Sequence, residues 1–384
     1  MGLYENLGVR RIINADARLT RLGGSLMPAP VLEAMREAAA SYVDIFELQR
    51  HAGRRLAELT HNQAAYVCTG AASGIFLATL ACMVGDDLVA ASQLPRVAAH
   101  RCELIIHEAH RIPYDQAALL AGARFVQIGG AGHTSPGELA DAISEHTAAV
   151  LYIAGEHLRR GALPLDETVA LAHARGVPVI VDAAAQLPPP ENLWRFTRDA
   201  GADMAIFSGG KALCGPQASG LIVGRAEYIA ACAAHGAPHQ RLGRPMKVGK
   251  EEIAGLVAAV EWYLAQDHQA WAARFEATVQ LWIDALAGCE GVRATRDFPN
   301  EAGQPIPRLR VELDPAQCGL TGGELASLLW EGDPPIAAAR TAGCGIYLTP
   351  DLLQPGEEQV IAARLRQLLA DVRGHAAPSD AANA

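Results

Sequence analysis

Three of the 32 basic residues in this 384-residue chain are lysines, at positions 211, 247 and 250, and the other 29 (32 − 3) are arginines. Arginine stays protonated and forms no imine. Lys211 follows the apolar run Ala205-Ile206-Phe207-Ser208-Gly209-Gly210, and a primary amine kept there points to a chemical amine. A second apolar run ends at Asp182 in Val181-Asp182-Ala183-Ala184-Ala185-Gln186, 29 residues (211 − 182) earlier. An acid at a strand end often caps a helix or meets solvent; it can also keep a proton on a heterocyclic nitrogen. The small-residue turn Thr69-Gly70-Ala71-Ala72-Ser73-Gly74 precedes an apolar helix. It reads either as an ordinary tight turn or as a cradle whose N–H groups receive an anion.

His110, in His107-Glu108-Ala109-His110-Arg111, could stack on a flat ring or donate a proton. His107 competes for either role, and with 13 histidines in the chain an ordinary surface histidine is the default. Taken together, a strand-end amine, a strand-end acid and a phosphate-sized turn describe a pyridoxal 5'-phosphate site, with the amine forming the imine and the acid holding the ring proton.

The elements that must position these groups are legible as short apolar runs: Ala65 to Cys68, Leu104 to Ile106, Arg124 to Ile128, Ala149 to Ile153, Val177 to Val181, Ala202 to Phe207 and Leu221 to Val223. Such runs belong to strands buried on both faces. Helical stretches lie between several of them. In one, Asp166 to Arg175, Asp166 is the expected N-cap and Gly176 the C-terminal glycine. The alternation predicts an α/β fold with a mostly parallel sheet, whose ligands gather at the carboxyl ends of the strands. Before it, two helices present Val31, Met35, Ala39 and Val43 on one face and Leu48, Ala52, Leu56 and Leu59 on the other. After it come a helix with Ile253, Val257, Val260 and Leu264 and a last one with Ile361, Leu365, Leu368, Leu369 and Val372. We expect residues 1–60 to pack with a smaller C-terminal domain at 249–374, residues 61–248 to form the large domain, and residues 375–384 to be a disordered tail.

The net charge is −10 with both signs interspersed, so there is no basic stripe to follow a phosphate backbone and no nucleic-acid partner is expected. The eight cysteines form no Cys-x-x-Cys pair, which reads as reduced thiols in a cytoplasmic protein without a metal site. No apolar run reaches membrane-span length.

Six segments, 7–14, 22–28, 181–189, 208–213, 215–217 and 243–252, make the chain resemble the selenocysteine synthase-like (L-seryl-tRNA(Sec) selenium transferase-like) family of fold type I pyridoxal-phosphate enzymes. The last of them, Gly243-Arg244-Pro245-Met246-Lys247-Val248-Gly249-Lys250-Glu251-Glu252, is quite specific. Within that family it looks most like the D-glucosaminate-6-phosphate ammonia-lyase type, because the pattern starts by residue 7 without the tRNA-gripping N-terminal domain of the transferase. The resemblance implies Lys211 as the Schiff-base lysine, Asp182 as partner of the pyridine nitrogen, and Gly70, Ala71, Ala72 and Ser73 as phosphate cradle. Ser208 would add a hydroxyl, His110 would stack on the ring, and Arg244 and Lys247 would contribute anion contacts. Arg340 would hold the substrate carboxylate. The loop Ala15-Asp16-Ala17-Arg18 departs from the small, Gly-containing run usual there, so Asp16 and Arg18 are candidates to read a zwitterionic or cationic substrate. Gly155-Glu156-His157-Leu158-Arg159-Arg160 is also more charged than the family leads one to expect.

The activity implied is removal of the Cα proton of a free amino acid or amino sugar acid with β-elimination, giving a 2-oxo acid and ammonia. Racemisation, aldol cleavage and β-substitution would use the same core residues, and a binding or regulatory protein on this fold is the non-enzyme alternative. A homodimer or larger homo-oligomer is implied.

Overall fold

The computed structural model describes residues 2–96, 100–130, 132–341 and 343–376, with side chains through residue 370. Twelve strands are described: β1 Ile13–Ala15, β2 Ala64–Cys68, β3 Glu103–His107, β4 Arg124–Ile128, β5 Thr147–Ile153, β6 Val179–Asp182, β7 Met204–Ser208, β8 Gly220–Gly224, β9 Val292–Asp297, β10 Arg308–Leu313, β11 Ile336–Arg340 and β12 Gly345–Leu348. The chain divides into two compact units.

The larger unit holds Gly23–Gln266 and Glu301–Gln304. Its seven-stranded sheet has the order β2-β8-β7-β6-β5-β3-β4. Strand β8 is antiparallel to both neighbours and all other pairs are parallel. These are the seven apolar runs. Strand β6 starts at Val179 rather than Val177 because Pro178 has no N–H for a ladder, and it extends to Asp182. The helix Ala71–Val84 is apolar on all sides and almost wholly buried. Gly74 lets it close on the sheet, since a Cβ there would lie 2.7 Å from Ile206 Cγ2. In the helix Leu165–His173 the N-cap position is held by Pro164, so Asp166 is not the cap. It stands in the first turn, where its charge favours the helix dipole; Gly176 does take a left-handed φ of 69°.

The expected domain boundaries move. Only the residues up to Leu22 fall in the smaller unit, while the helices Ala29–Ala39, Ile45–Leu59 and Lys250–Leu264 all belong to the larger one. The reason is close packing on the sheet unit. A Cβ on Gly53 would lie 2.4 Å from Ala65 O, and one on Gly255 2.7 Å from Pro216 Cγ of the lysine loop. Gln49 Nε2 donates to Val67 O at 2.8 Å. Asp44 caps Ile45–Leu59 by accepting from the Glu47 N–H, and Val43 lies outside both helices, exposed.

The smaller unit, completed by Asp267–Asn300 and the chain from Pro305, has a five-stranded sheet of order β1-β11-β12-β10-β9. Trp282, Leu309, Val311, Ile336, Ile346, Ile361 and Leu365 form its core. The last helix runs Glu357–Ala376; Val372 lies beyond the described side chains, and residues 377–384 of the expected tail lie outside the described residues. Among the described residues no helix is long and apolar enough to cross a membrane, and all eight cysteines are free.

Candidate active site

Strands β3, β5, β6 and β7 are parallel, and β2, antiparallel to β8, runs the same way as β7. The segments that follow these five strands therefore leave one edge of the larger sheet. Asp182 pairs in register with Ile206 of β7 and Ile153 of β5. Its turn is fixed by the Ala183 N–H donating to Ile206 O at 2.9 Å. Asp182 is 6 % exposed, and its Oδ1 accepts the Ala184 N–H at 3.0 Å. Burial pushes this carboxyl above its ordinary value; the Ala184 N–H and the positive charge of Lys211 pull it back.

Lys211 sits in a loop with little backbone freedom. Gly209 N donates to Ser219 O at 2.9 Å, Gly215 N to Gly209 O at 2.8 Å and Cys214 N to Lys211 O at 2.9 Å. Ser25 Oγ also donates to Lys211 O at 2.8 Å. A Cβ on Gly210 would lie 2.5 Å from Gln217 Cα, and one on Gly24 2.6 Å from Gly210 O. The loop thus closes only with glycine at these positions, and the lysine is carried on a rigid base.

Ser208 and Cys68 flank Gly220 in register, which brings the turn after β2 beside the lysine loop. Gly70 opens the helix Ala71–Val84 with a φ of 86°. Gly220 must also lack a side chain, because its Cβ would lie 2.5 Å from Gly70 C. Ser73 Oγ is spent inside the turn, donating to Thr69 O at 2.8 Å, so the cradle offers backbone N–H groups more than that hydroxyl.

His110 follows β3 in a single 3₁₀ turn, Glu108–His110, and is 1 % exposed. Its Nδ1 accepts the Ile153 N–H at 3.3 Å, which assigns the proton to Nε2. Among the described residues Nε2 has no hydrogen-bond partner, nor has either ring nitrogen of His107. The two rings meet edge to face at 4.8 Å, and Tyr152 meets His110 at 4.5 Å. Burial pushes His107 down to about 4. It pushes His110 down to about 3, with His107 adding to the shift and the Leu158 backbone opposing it. Both imidazoles are neutral at physiological pH.

The structure thus places Lys211, Asp182, His110, Ser208 and the Gly70–Ser73 turn on one sheet edge. Arg244 and Lys247 are exposed in the larger unit. Asp16, Arg18 and Arg340 belong to the smaller unit, where each has a protein partner. Arg18 pairs with Asp351, which also accepts from Thr349 Oγ1 at 2.9 Å. Asp16 pairs with Arg21 at 2.7 Å, and exposed Arg340 donates to Ser327 Oγ at 3.3 Å. Reading of a substrate by Arg18 or Asp16 therefore has to compete with an internal ion pair. Sequence reasoning missed Ser25, Gly220 and Asp351; the glycine pair before Ser25 was the one available signal.

Residues 13–281 match the family model described as SelA, L-seryl-tRNA selenium transferase. The chain is 35% identical over 383 residues to the 5'-C-glycyluridine monooxygenase-decarboxylase of a Streptomyces species, covering 97% of this chain and 93% of that one. It is 34% identical over 373 residues to the D-glucosaminate-6-phosphate ammonia lyase of Salmonella typhimurium, covering 95% and 97%. A solved structure of D-glucosaminate-6-phosphate ammonia-lyase superposes with a TM-score of 0.85 at 32% identity, covering 97% of this chain and 99% of that one.

Proposed function

The chain belongs to the L-seryl-tRNA selenium transferase family, and on that premise we propose that it is a fold type I, pyridoxal-phosphate-dependent lyase. It acts on a free amino acid or amino sugar acid, removing the Cα proton and a β-substituent to give a 2-oxo acid and ammonia. The observation that carries this reading is the placement of Asp182 and Lys211 at the ends of adjacent strands, with the lysine charge acting on the buried carboxyl.

The residues fit the cofactor in three respects. A buried carboxyl held above its ordinary value gains from a cationic ring N–H, Gly70 and Gly220 let a helix start close in beside the lysine loop, and His110 presents a buried, neutral, flat ring on the same edge. When bound, pyridoxal phosphate supplies an electron sink that acidifies the substrate Cα–H. Lys211 Nζ would hold the cofactor covalently and would take the Cα proton, its aim set by the loop bonded through Gly209, Gly215 and Ser25. Asp182 would hold a proton on the ring nitrogen. His110, neutral and fixed by the Ile153 N–H, would stack on the ring. The N–H groups of Gly70, Ala71, Ala72 and Ser73, with the Ser208 hydroxyl, would hold the phosphate at a helix start. Arg244 and Lys247 would add anion contacts. The enzyme works in the cytoplasm, a reading its free cysteines support, and as the homodimer or larger homo-oligomer that the family resemblance implies.

The test is borohydride reduction of the holoprotein, peptide mapping, and assay of ammonia and 2-oxo acid over D- and L-amino acids and amino sugar acids. A label on Lys211 with ammonia release is expected; protein supplied with cofactor that takes no label on Lys211 ends the proposal. A second reading, oxygen-dependent decarboxylation, is favoured by the name of the Streptomyces relative. Release of CO2 with oxygen uptake, in place of ammonia without it, would select that one.

A further inference from the structure

The segment Gly155–Gly161 is absorbed by none of these roles, yet it leaves the site's edge between its two best-fixed members. It follows β5, whose neighbours are β3, which leads to His110, and β6, which ends at Asp182. Its backbone is pinned along its length. Ala154 N donates to Asp182 O at 2.9 Å and Glu156 N to Ala302 O at 3.3 Å. Thr134 Oγ1, buried, donates to Gly161 O at 2.5 Å. Gly303, at a φ of 78°, packs so closely that a Cβ would lie 2.4 Å from Glu156 Cβ. Leu158 turns inward onto the core of the larger unit.

That inward anchor leaves His157, Arg159 and Arg160 exposed. Arg159 faces one carboxylate, Glu156, at 3.5 Å. Among the described residues no carboxylate pairs with Arg160. A rigid backbone that holds cations out at the ligand edge of an acidic protein loses little entropy when it binds an anion, unlike a mobile loop.

We propose that Arg159 and Arg160 form a specificity site for a second anionic group on the substrate, a phosphate or carboxylate distal to the reacting amino acid moiety. This rests on the lyase reading and adds a substrate class to it. Guanidinium forks suit either oxyanion, and a bidentate contact adds discrimination that a hydroxyl at the same place would not receive.

The experiment is calorimetric titration of the cofactor-loaded protein with D-glucosaminate, its 6-phosphate and the corresponding six-carbon dicarboxylate. The native enzyme should bind at least one anionic ligand roughly tenfold or more tightly than D-glucosaminate, and the stronger of the two identifies the group read. In the Arg159→Ala/Arg160→Ala double variant that preference should fall by roughly tenfold, and Arg160→Lys should restore part of it. A native enzyme without the preference, one that binds none of the three included, or a double variant that keeps it, overturns the inference. A borohydride label on Lys211 with no anion preference sinks this inference alone; loss of the label sinks the reading beneath it.

Discussion

Two buried aspartates at opposite edges of one sheet are treated very differently. Asp203, at the start of β7, is 1 % exposed and accepts three hydrogen bonds: from Val179 N at 2.7 Å, His173 Nε2 at 2.8 Å and Arg225 Nη1 at 3.1 Å. Asp182, at the end of β6, accepts one from Ala184 N, and burial leaves its carboxyl above the ordinary range. The amino edge spends its buried charge on joining strands. The carboxyl edge leaves both His107 nitrogens without a hydrogen-bond partner among the described residues and holds the Asp182 carboxyl above its ordinary range, as a site awaiting a ligand does.

The largest effect should separate the edges outright. Lys211→Ala removes the amine and should lower turnover roughly 10³-fold or more, with the borohydride label lost and thermal stability of the cofactor-free protein kept. A variant that still releases ammonia at near-native rate would break the assignment of chemistry to this edge. Asp203→Ala is the mirror experiment. Removing one member of a buried charged cluster should cost about 3 kcal/mol in denaturant unfolding, while activity per folded molecule is retained. Loss of activity without loss of stability would contradict the division.

Much of this contrast is legible in the chain, and the rest fails for identifiable reasons. The seven strands of the larger sheet stand out because strands buried on both faces need uninterrupted apolar residues, and Lys211 and Asp182 stand out because each ends such a run. The faces of Ala29–Ala39 and Lys250–Leu264 show that something covers them. They do not show what; the pair belongs to the larger unit because Gly255 meets Pro216 of the lysine loop as well as Met35. Pairings across long separations leave no local trace. Arg18 finds Asp351 333 residues away, and Ser25 finds the Lys211 carbonyl 186 residues away.

Asp182→Asn sharpens the comparison at a single atom. Its folded carboxyl lies above the unfolded value, so the fold carries no penalty at pH below the unfolded value, loses stability as pH rises from there through the folded value, and bears the full penalty above it. Replacing the carboxylate by an amide removes that penalty. The cofactor-free variant should be as stable as the native protein or more so at pH 7 to 8, while turnover falls roughly 10²-fold for want of the charge that holds the ring proton. A clear loss of stability at that pH would place Asp182 with Asp203 as a structural acid.

The effect that is smallest at neutral pH concerns the histidine pair, and its sign is opposite. His107 and His110 have folded values of about 4 and about 3, below the unfolded value of roughly 6.5. As pH falls below that, the unfolded chain takes up protons that the folded chain refuses, and each histidine removes about 1.4 kcal/mol of stability per pH unit. Above it their neutral burial is fully tolerated. His107→Phe keeps an aromatic ring against His110 and discards two nitrogens that lack a partner among the described residues, so near pH 7 it should be neutral or stabilising by about 1 kcal/mol. Its advantage over the native protein should then widen between pH 6.5 and 4 and level off below, in urea unfolding followed across that range. If the variant is instead less stable at every pH by a constant amount, the His107 nitrogens are bonded in the native protein, and the edge holds one fewer under-satisfied group than the contrast with Asp203 requires.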